Sequence, residues 1–572
     1  MAQKPSITSF FVMIIPMFLF SVLTHAQPTV LPEDLCKSTI QQSVCNSILT
    51  GAEPGPVTGF ARIALEKSQQ VTQRLLASLA TSPPSSLAHE DCQFLARLSV
   101  EHLTRVAGKI TGVDVLGVSE VDESVTLLSA ALSNYDTCHE SIFEVLAGKS
   151  PSPEESGVLA RVSDGAKVIS VCLALFRKAW PAPSSLPGIK PPERHLLEKK
   201  WSEVSVRKMS ERERMIYERV MVVGRKLLQV INMGPNSLRQ SPFPNHGTAA
   251  KVAKTVVVVN PSDPPAFSNI TAAVAAAPTK AESTDGYYVI YVVAGIYQEY
   301  VTIPSDKTYV MIVGDGIGRT IITGNKSVGD NSTTFASATL AINGKGFVAA
   351  NITVRNTAGA AKHQAVAVRT SADMSAFFRC SFEAYQDTLY VHSLRQFYKE
   401  CEIFGTVDFV FGNAAAVFQS CNIFPRLPLQ GQFNAITAQG RTDPNQNTGI
   451  SIQNCTIKPS TELVSGNFPV QTYLGRPWKE YSRTVYLQNF MDGLIDPKGW
   501  TEWMGDFALK TLYYAEFKNT GPGSDTTNRV TWPGYHVIVN EDEAESFTVS
   551  KFIVGDSWLP VTGVPFFGGL MA

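Results

Sequence analysis

The sequence predicts a mainly β chain of two unlike halves, a right-handed parallel β-helix preceded by an all-α four-helix bundle. Three observations carry this. Between residues 378 and 423 a cysteine followed two residues later by an apolar side chain occurs three times, as Cys380/Phe382, Cys401/Ile403 and Cys421/Ile423, in steps of 21 and 20 residues. That period belongs to stacked solenoid turns and fits neither a heptad nor a single strand. After Lys251, strand-length β-branched runs follow one another with no long amphipathic helix between them, which argues against a doubly wound sheet. Before residue 180, apolar positions recur at three and four instead.

In chain order, Lys4 precedes an apolar run over residues 10–23 and then the small-residue end Thr24-His25-Ala26, the pattern of a cleaved secretory signal over residues 1–26. A membrane anchor is the alternative, but Pro16 interrupts the run and it falls short of the about 20 residues a spanning helix needs. No later segment reads as transmembrane. The 572-residue chain is 44% hydrophobic, enough for a sizeable core, and its formal charge of −1, without a Lys/Arg block, argues against a nucleic-acid partner.

Residues 27–180 read as the bundle, with apolar faces such as Phe60, Ile63, Ala64 and Val71, Leu75, Leu76, Leu79, and similar runs from Leu95, Val121 and Val158. Cys36 and Cys45 would clip an N-terminal hairpin, Cys92 and Cys138 would staple two helices, and Cys172 is left over. Residues 181–250 form a linker that opens Pro-rich and carries the dibasic pair Arg225-Lys226, a candidate site for a processing protease. Residues 251–572 are the β-helix, with one helix-like insert at 270–277. Secretion makes the five sequons at Asn269, Asn325, Asn331, Asn351 and Asn454 candidate glycosylation sites.

Asp387 stands seven residues after Cys380, and Asp408 seven after Cys401. Two acids in the same phase of turns stacked about 4.8 Å apart are neighbours. They cannot easily both ionise, so one is held protonated while the other stays charged, a division that supplies a proton donor and a nucleophile or base. In-phase cysteines likewise lie within disulfide reach, and on this argument Cys401 could pair in either direction. No G-x-S-x-G, H-E-x-x-H or C-x-x-C occurs, so serine-hydrolase and zinc mechanisms have no basis, and neither a metal nor a cofactor is expected. GDGIG at 314–318 reads as tight turns, and His363 and His392 as hydrogen-bonded structural residues.

The bundle's cysteine placement resembles the invertase and pectin methylesterase inhibitor family. The phrases GIYQE at 295–299, QAVAVR at 364–369, QDTL at 386–389, DFVFG at 408–412 and LGRPW at 474–478 together resemble the plant pectin methylesterases, or pectinesterases. NPSDPPAFSNI at 260–270 departs from the family's Gly-rich phrase there, which touches the first turn and not the site. The resemblance implies a secreted cell-wall enzyme, a monomer, that removes methyl esters from pectin with release of methanol. It implies Asp408 as nucleophile, Asp387 as proton donor and then base, and Gln386 as transition-state stabiliser. Thr334, Gln364, Arg476 and Trp478 would bind substrate, with Trp500 and Trp503 as further groove candidates. It also implies a Cys401–Cys421 bridge, an RRLL-type cleavage site at RKLL, and a pro-region that covers the groove as an intramolecular inhibitor. A pectin lyase or polygalacturonase on the same fold, and a non-enzymatic wall binder, are the rival readings.

Overall fold

The computed structural model describes residues 29–81, 86–146, 148–181, 253–263 and 266–571. The candidate signal and the Arg225-Lys226 pair lie outside them. The helical half comprises α1 (Pro32–Cys36), α2 (Gln42–Ile48), α3 (Val57–Thr81), α4 (Leu87–Ile110), α5 (Val118–Leu146) and α6 (Pro153–Ala179). The last four are the bundle. Local chemistry starts them: the Ser86 hydroxyl accepts from His89 N–H ahead of α4, and Ser152 forms a reciprocal capping box with Glu155 ahead of Pro153 in α6. Disulfides Cys36–Cys45 and Cys92–Cys138 close the α1–α2 hairpin and join α4 to α5, and Cys172 is a buried free thiol.

Helix α5 departs from an ordinary amphipathic helix. Its polar residues Ser129, Ser133, Asn134, Thr137 and Ser141 are all buried. Asn134 and Ser141 donate to Ser99 and Asp91 of α4, while Ser129, Ser133 and Thr137 bond to Gln446, Asn413 and His392 of the β-half.

The β-half is a coil of short strands in three wholly parallel sheets of eleven, seven and eight strands. The strand Val368–Thr370 pairs with Leu340–Ile342 on one side and Leu389–Val391 on the other, and the same step repeats along the stack. Inside it, like residues pile up at the strand spacing: Phe377 on Tyr398 at 4.7 Å and Tyr398 on Phe418 at 4.5 Å between ring centres. The insert is a helix, α7 (Ile270–Ala275), capped by the Asn269 side chain. Glu299 of GIYQE accepts from the N–H groups of Ile270 and Thr271 at 2.9 and 3.0 Å, so that phrase secures the first turn. Asn325, Asn331 and Asn454 are exposed, and Asn269 and Asn351 half-buried.

The expected Cys401–Cys421 bridge is absent. Cys380, Cys401, Cys421 and Cys455 are free thiols stacked on four successive turns. Each sits one residue after a corner in the left-handed region, at Arg379, Glu400, Ser420 and Asn454, which aims all four side chains inward in parallel. There they pair with the backbone: Cys401 N–H donates to Cys421 Sγ at 3.4 Å, Cys421 N–H to Cys455 Sγ at 3.2 Å, and Cys455 N–H to Asn489 Oδ1 at 2.8 Å. In-phase placement makes every thiol equivalent to its neighbours, and the ladder satisfies them without a bridge.

Candidate active site

The seven-stranded sheet forms the floor of the site. Leu389 pairs with Val410, so Asp387 and Asp408, each two residues ahead of its strand, occupy one phase of consecutive turns. Asp387 N–H donates to Val407 C=O at 3.1 Å, fixing the step between them. Both residues are in the left-handed region, φ 63° and 53°, where aspartate is among the better-tolerated side chains. Gly412 closes DFVFG at φ 124°, and a Cβ there would lie 2.2 Å from Val391 C=O, so no other residue fits.

Both carboxylates are buried. Arg476 Nε and Nη2 donate to the two oxygens of Asp408 at 2.8 and 2.7 Å. Burial, followed by the charge of Asp408, pushes the Asp387 carboxyl far above the usual range. Burial also raises Asp408, but the Arg476 fork opposes it. Of the two, Asp387 is thus the more readily protonated and Asp408 the one whose charge is supported.

A cavity of about 250 Å³ brings together Thr334, Gln364, Gln386, Asp387, Asp408, Arg476, Trp478 and Trp503. Trp478 packs edge-on against Phe411 and Tyr390, forming the groove wall, and the Arg476 guanidinium lies 4.3 Å from the Trp503 ring centre. Trp500 does not reach the groove. It is 1% exposed, stacks on Tyr514 at 4.2 Å and donates to Glu516, so it is core. His392 is buried, with Nδ1 at 3.0 Å from Ser371 Oγ.

The cavity's other wall is α5, through Thr137, Glu140, Ser141 and Glu144. Thr334 N–H and Oγ1 donate to Glu144 at 2.8 and 2.7 Å, and Lys479 is ion-paired with Glu140. Thr442 donates to Asp136, Asn413 to Ser133 and Thr333 to Asp91 of α4 at 2.8, 2.8 and 2.6 Å, while Arg395 bridges Asp373 and Asp122. Burial pushes Glu140 up to about 7 and Asp91 and Asp136 up to about 6. These contacts escaped sequence reasoning, although Asp136, Glu140 and Glu144 recur every four residues and so share one helix face.

Fold and site together define a parallel β-helix enzyme built on a buried carboxylate pair, with a helical bundle seated over its groove. The family description Pectinesterase matches residues 256–556, and Plant invertase/pectin methylesterase inhibitor matches residues 30–175. The chain is 46% identical to Probable pectinesterase/pectinesterase inhibitor 20 of Arabidopsis thaliana, over 95% of this chain and 94% of that one. It is 42% identical to Pectinesterase 2 of Citrus sinensis, over 97% and 98%. Among solved structures, pectin methylesterase from carrot matches with a TM-score of 0.54 and 52% identity, covering 58% of this chain and all of that one. The chain belongs to the pectinesterase family.

Proposed function

We propose that the β-half hydrolyses the methyl esters of pectin's galacturonate units, giving methanol and pectate. The observation that carries this is the Asp408 carboxylate held by the Arg476 fork beside the buried Asp387, whose carboxyl burial and then the charge of Asp408 push far above the usual range.

An Asp408 oxygen attacks the ester carbonyl carbon. The negative charge gathers on the carbonyl oxygen, where the amide groups of Gln386 and Gln364 donate to it. As the C–O bond to the methoxy group breaks, Asp387 passes its proton to the departing oxygen, methanol leaves, and an acyl-enzyme anhydride remains. Asp387, now a carboxylate, takes a proton from water whose oxygen attacks the same carbon. Asp408 is released and Asp387 is reprotonated. Thr334, Trp478 and Trp503 line the polymer's path.

The bundle is an intramolecular inhibitor, because α5 fills the space the polymer needs. Its release by a protease at Arg225-Lys226 would open the groove. The chain acts as a monomer, after secretion, in the cell wall. No helix among the described residues is long and apolar enough to cross a membrane.

The test is methanol release from methylated pectin by residues 251–572. Asp408→Ala should abolish it and Asp387→Asn should cost at least about 10²-fold, the usual contribution of a general acid. Activity near the parent level in Asp408→Ala would remove Asp408 as nucleophile. A lyase would give an ultraviolet-absorbing unsaturated product, and a polygalacturonase new reducing ends.

A further inference from the structure

We infer that Lys479 is a carboxylate-binding subsite of the groove, taking a free galacturonate carboxylate beside the ester under attack, and that Glu140 of α5 occupies this subsite while the bundle is seated. The inference rests on the pectin-esterase reading above and deepens it.

Among the described residues of the β-half, Arg476 and Lys479 are the arginine and lysine side chains that line the groove and the cavities beside it. Arg476 is committed, since its fork holds both oxygens of Asp408. Among the described residues of its own half, Lys479 has no comparable partner. It is ion-paired with Glu140, and burial opposes its charge while Glu140 and then Asp136, both on α5, restore it. Its ammonium group lies 5.1 Å from the ring centre of Trp478, which lines the cavity with Asp387 and Asp408. When α5 departs, Lys479 is left a cation beside the groove-wall tryptophan, with its carboxylates removed.

The polymer supplies what that cation lacks. Each de-esterified unit carries one carboxylate, and each esterified unit a neutral methyl ester that cannot pair with an ammonium. Glu140 shows that a carboxylate can reach the position. Glu144, one turn along α5, places a second carboxylate on Thr334. The helix thus presents two acid groups to the groove about one turn apart.

The β-half is testable by itself. Its main core is built from residues between Val259 and Tyr514, and the carrot enzyme is matched along its entire length by 58% of this chain. The experiment uses residues 251–572 with two methyl-esterified oligogalacturonates of equal length, one fully esterified and one with a single free carboxylate. The readout is the ratio of kcat/KM for the second to the first. Lys479→Gln should lower that ratio about ten-fold, the range of a charge-assisted hydrogen bond, mainly through KM, and Lys479→Arg should retain it. An unchanged ratio in Lys479→Gln overturns the inference, as does a loss that falls equally on both substrates. If the parent protein releases methanol from neither substrate, the esterase reading fails separately. Calorimetry with fully de-esterified trigalacturonate then reads the subsite: binding lost in Lys479→Gln supports it, and equal binding by both proteins overturns it.

Discussion

One carboxylate of Glu144 accepts both the amide N–H and the hydroxyl of Thr334, at 2.8 and 2.7 Å, joining the middle of the bundle to the mouth of the carboxylate cavity. A half-buried carboxylate with two donors satisfied is a local tie, because separating the halves leaves both partners to find water again. On the proposed reading of Thr334 as a substrate contact, helix α5 competes with the polymer for its donors.

Removing that tie should release activity. In the full chain, the double variant Glu140→Ala, Glu144→Ala should raise methanol release at least about ten-fold, the loss of two charge-assisted contacts. Equal release from parent and variant would mean that these two residues do not hold α5 in place.

The seating should depend on pH, with a definite sign. Seated, Glu140 lies at about 7 and Asp91 and Asp136 at about 6, all above their ordinary values, because burial disfavours their charge. The seated state binds more protons, so association is fully favoured below about pH 4 and weakens as pH rises through 6 to 7. From the β-half, Lys479 faces Glu140 and Asp136, Thr333 and then Arg369 face Asp91, and Thr442 faces Asp136; these moderate the shifts without reversing them, while Asp443 adds to that of Asp136. Calorimetric titration of the bundle into the β-half at pH 5 and pH 8 should show at least about ten-fold weaker binding at the higher pH.

Arg476→Gln should move the chemistry in the opposite sense to stabilisation. Without the fork, burial alone acts on Asp408 and raises its carboxyl further. The acid limb of the kcat/KM profile should shift to higher pH, with a rate loss of at least about 10²-fold at pH 6. An unshifted limb would show that Asp408 is not the group titrating there.

Reductant should separate the two halves. The helical half carries both disulfides and the β-half only thiols. Dithiothreitol should lower the bundle's unfolding temperature, with a loss of about 2–5 kcal/mol for a bridge such as Cys92–Cys138, and leave the β-half's transition in place. A reductant-sensitive β-half would argue for a bridge among Cys380, Cys401, Cys421 and Cys455.

The carboxylate pair was legible because a solenoid turns sequence period into spatial neighbourhood, and Asp387 and Asp408 share the phase of their cysteines. Arg476 came only through resemblance, since 68 residues of coil separate it from Asp408 and no local rule spans them. Trp500 and Trp503 read alike in sequence. Their fates divide because the first faces the stack beside Tyr514 and the second the groove. The cysteine ladder stayed open because equivalent positions give no thiol a preferred neighbour. The face of acids on α5 was visible as a spacing of four, but which surface it meets is decided by the other half of the chain.

Asp387 and Asp408 owe their separation to the main-chain step from one coil to the next, so the pitch of the coil acts as a gauge for proton sharing. Side-chain substitutions around the groove change what is gripped and leave that gauge untouched. Whole coils could be added or deleted toward either end, altering the length of polymer held, while the acid pair keeps the same spacing it has now.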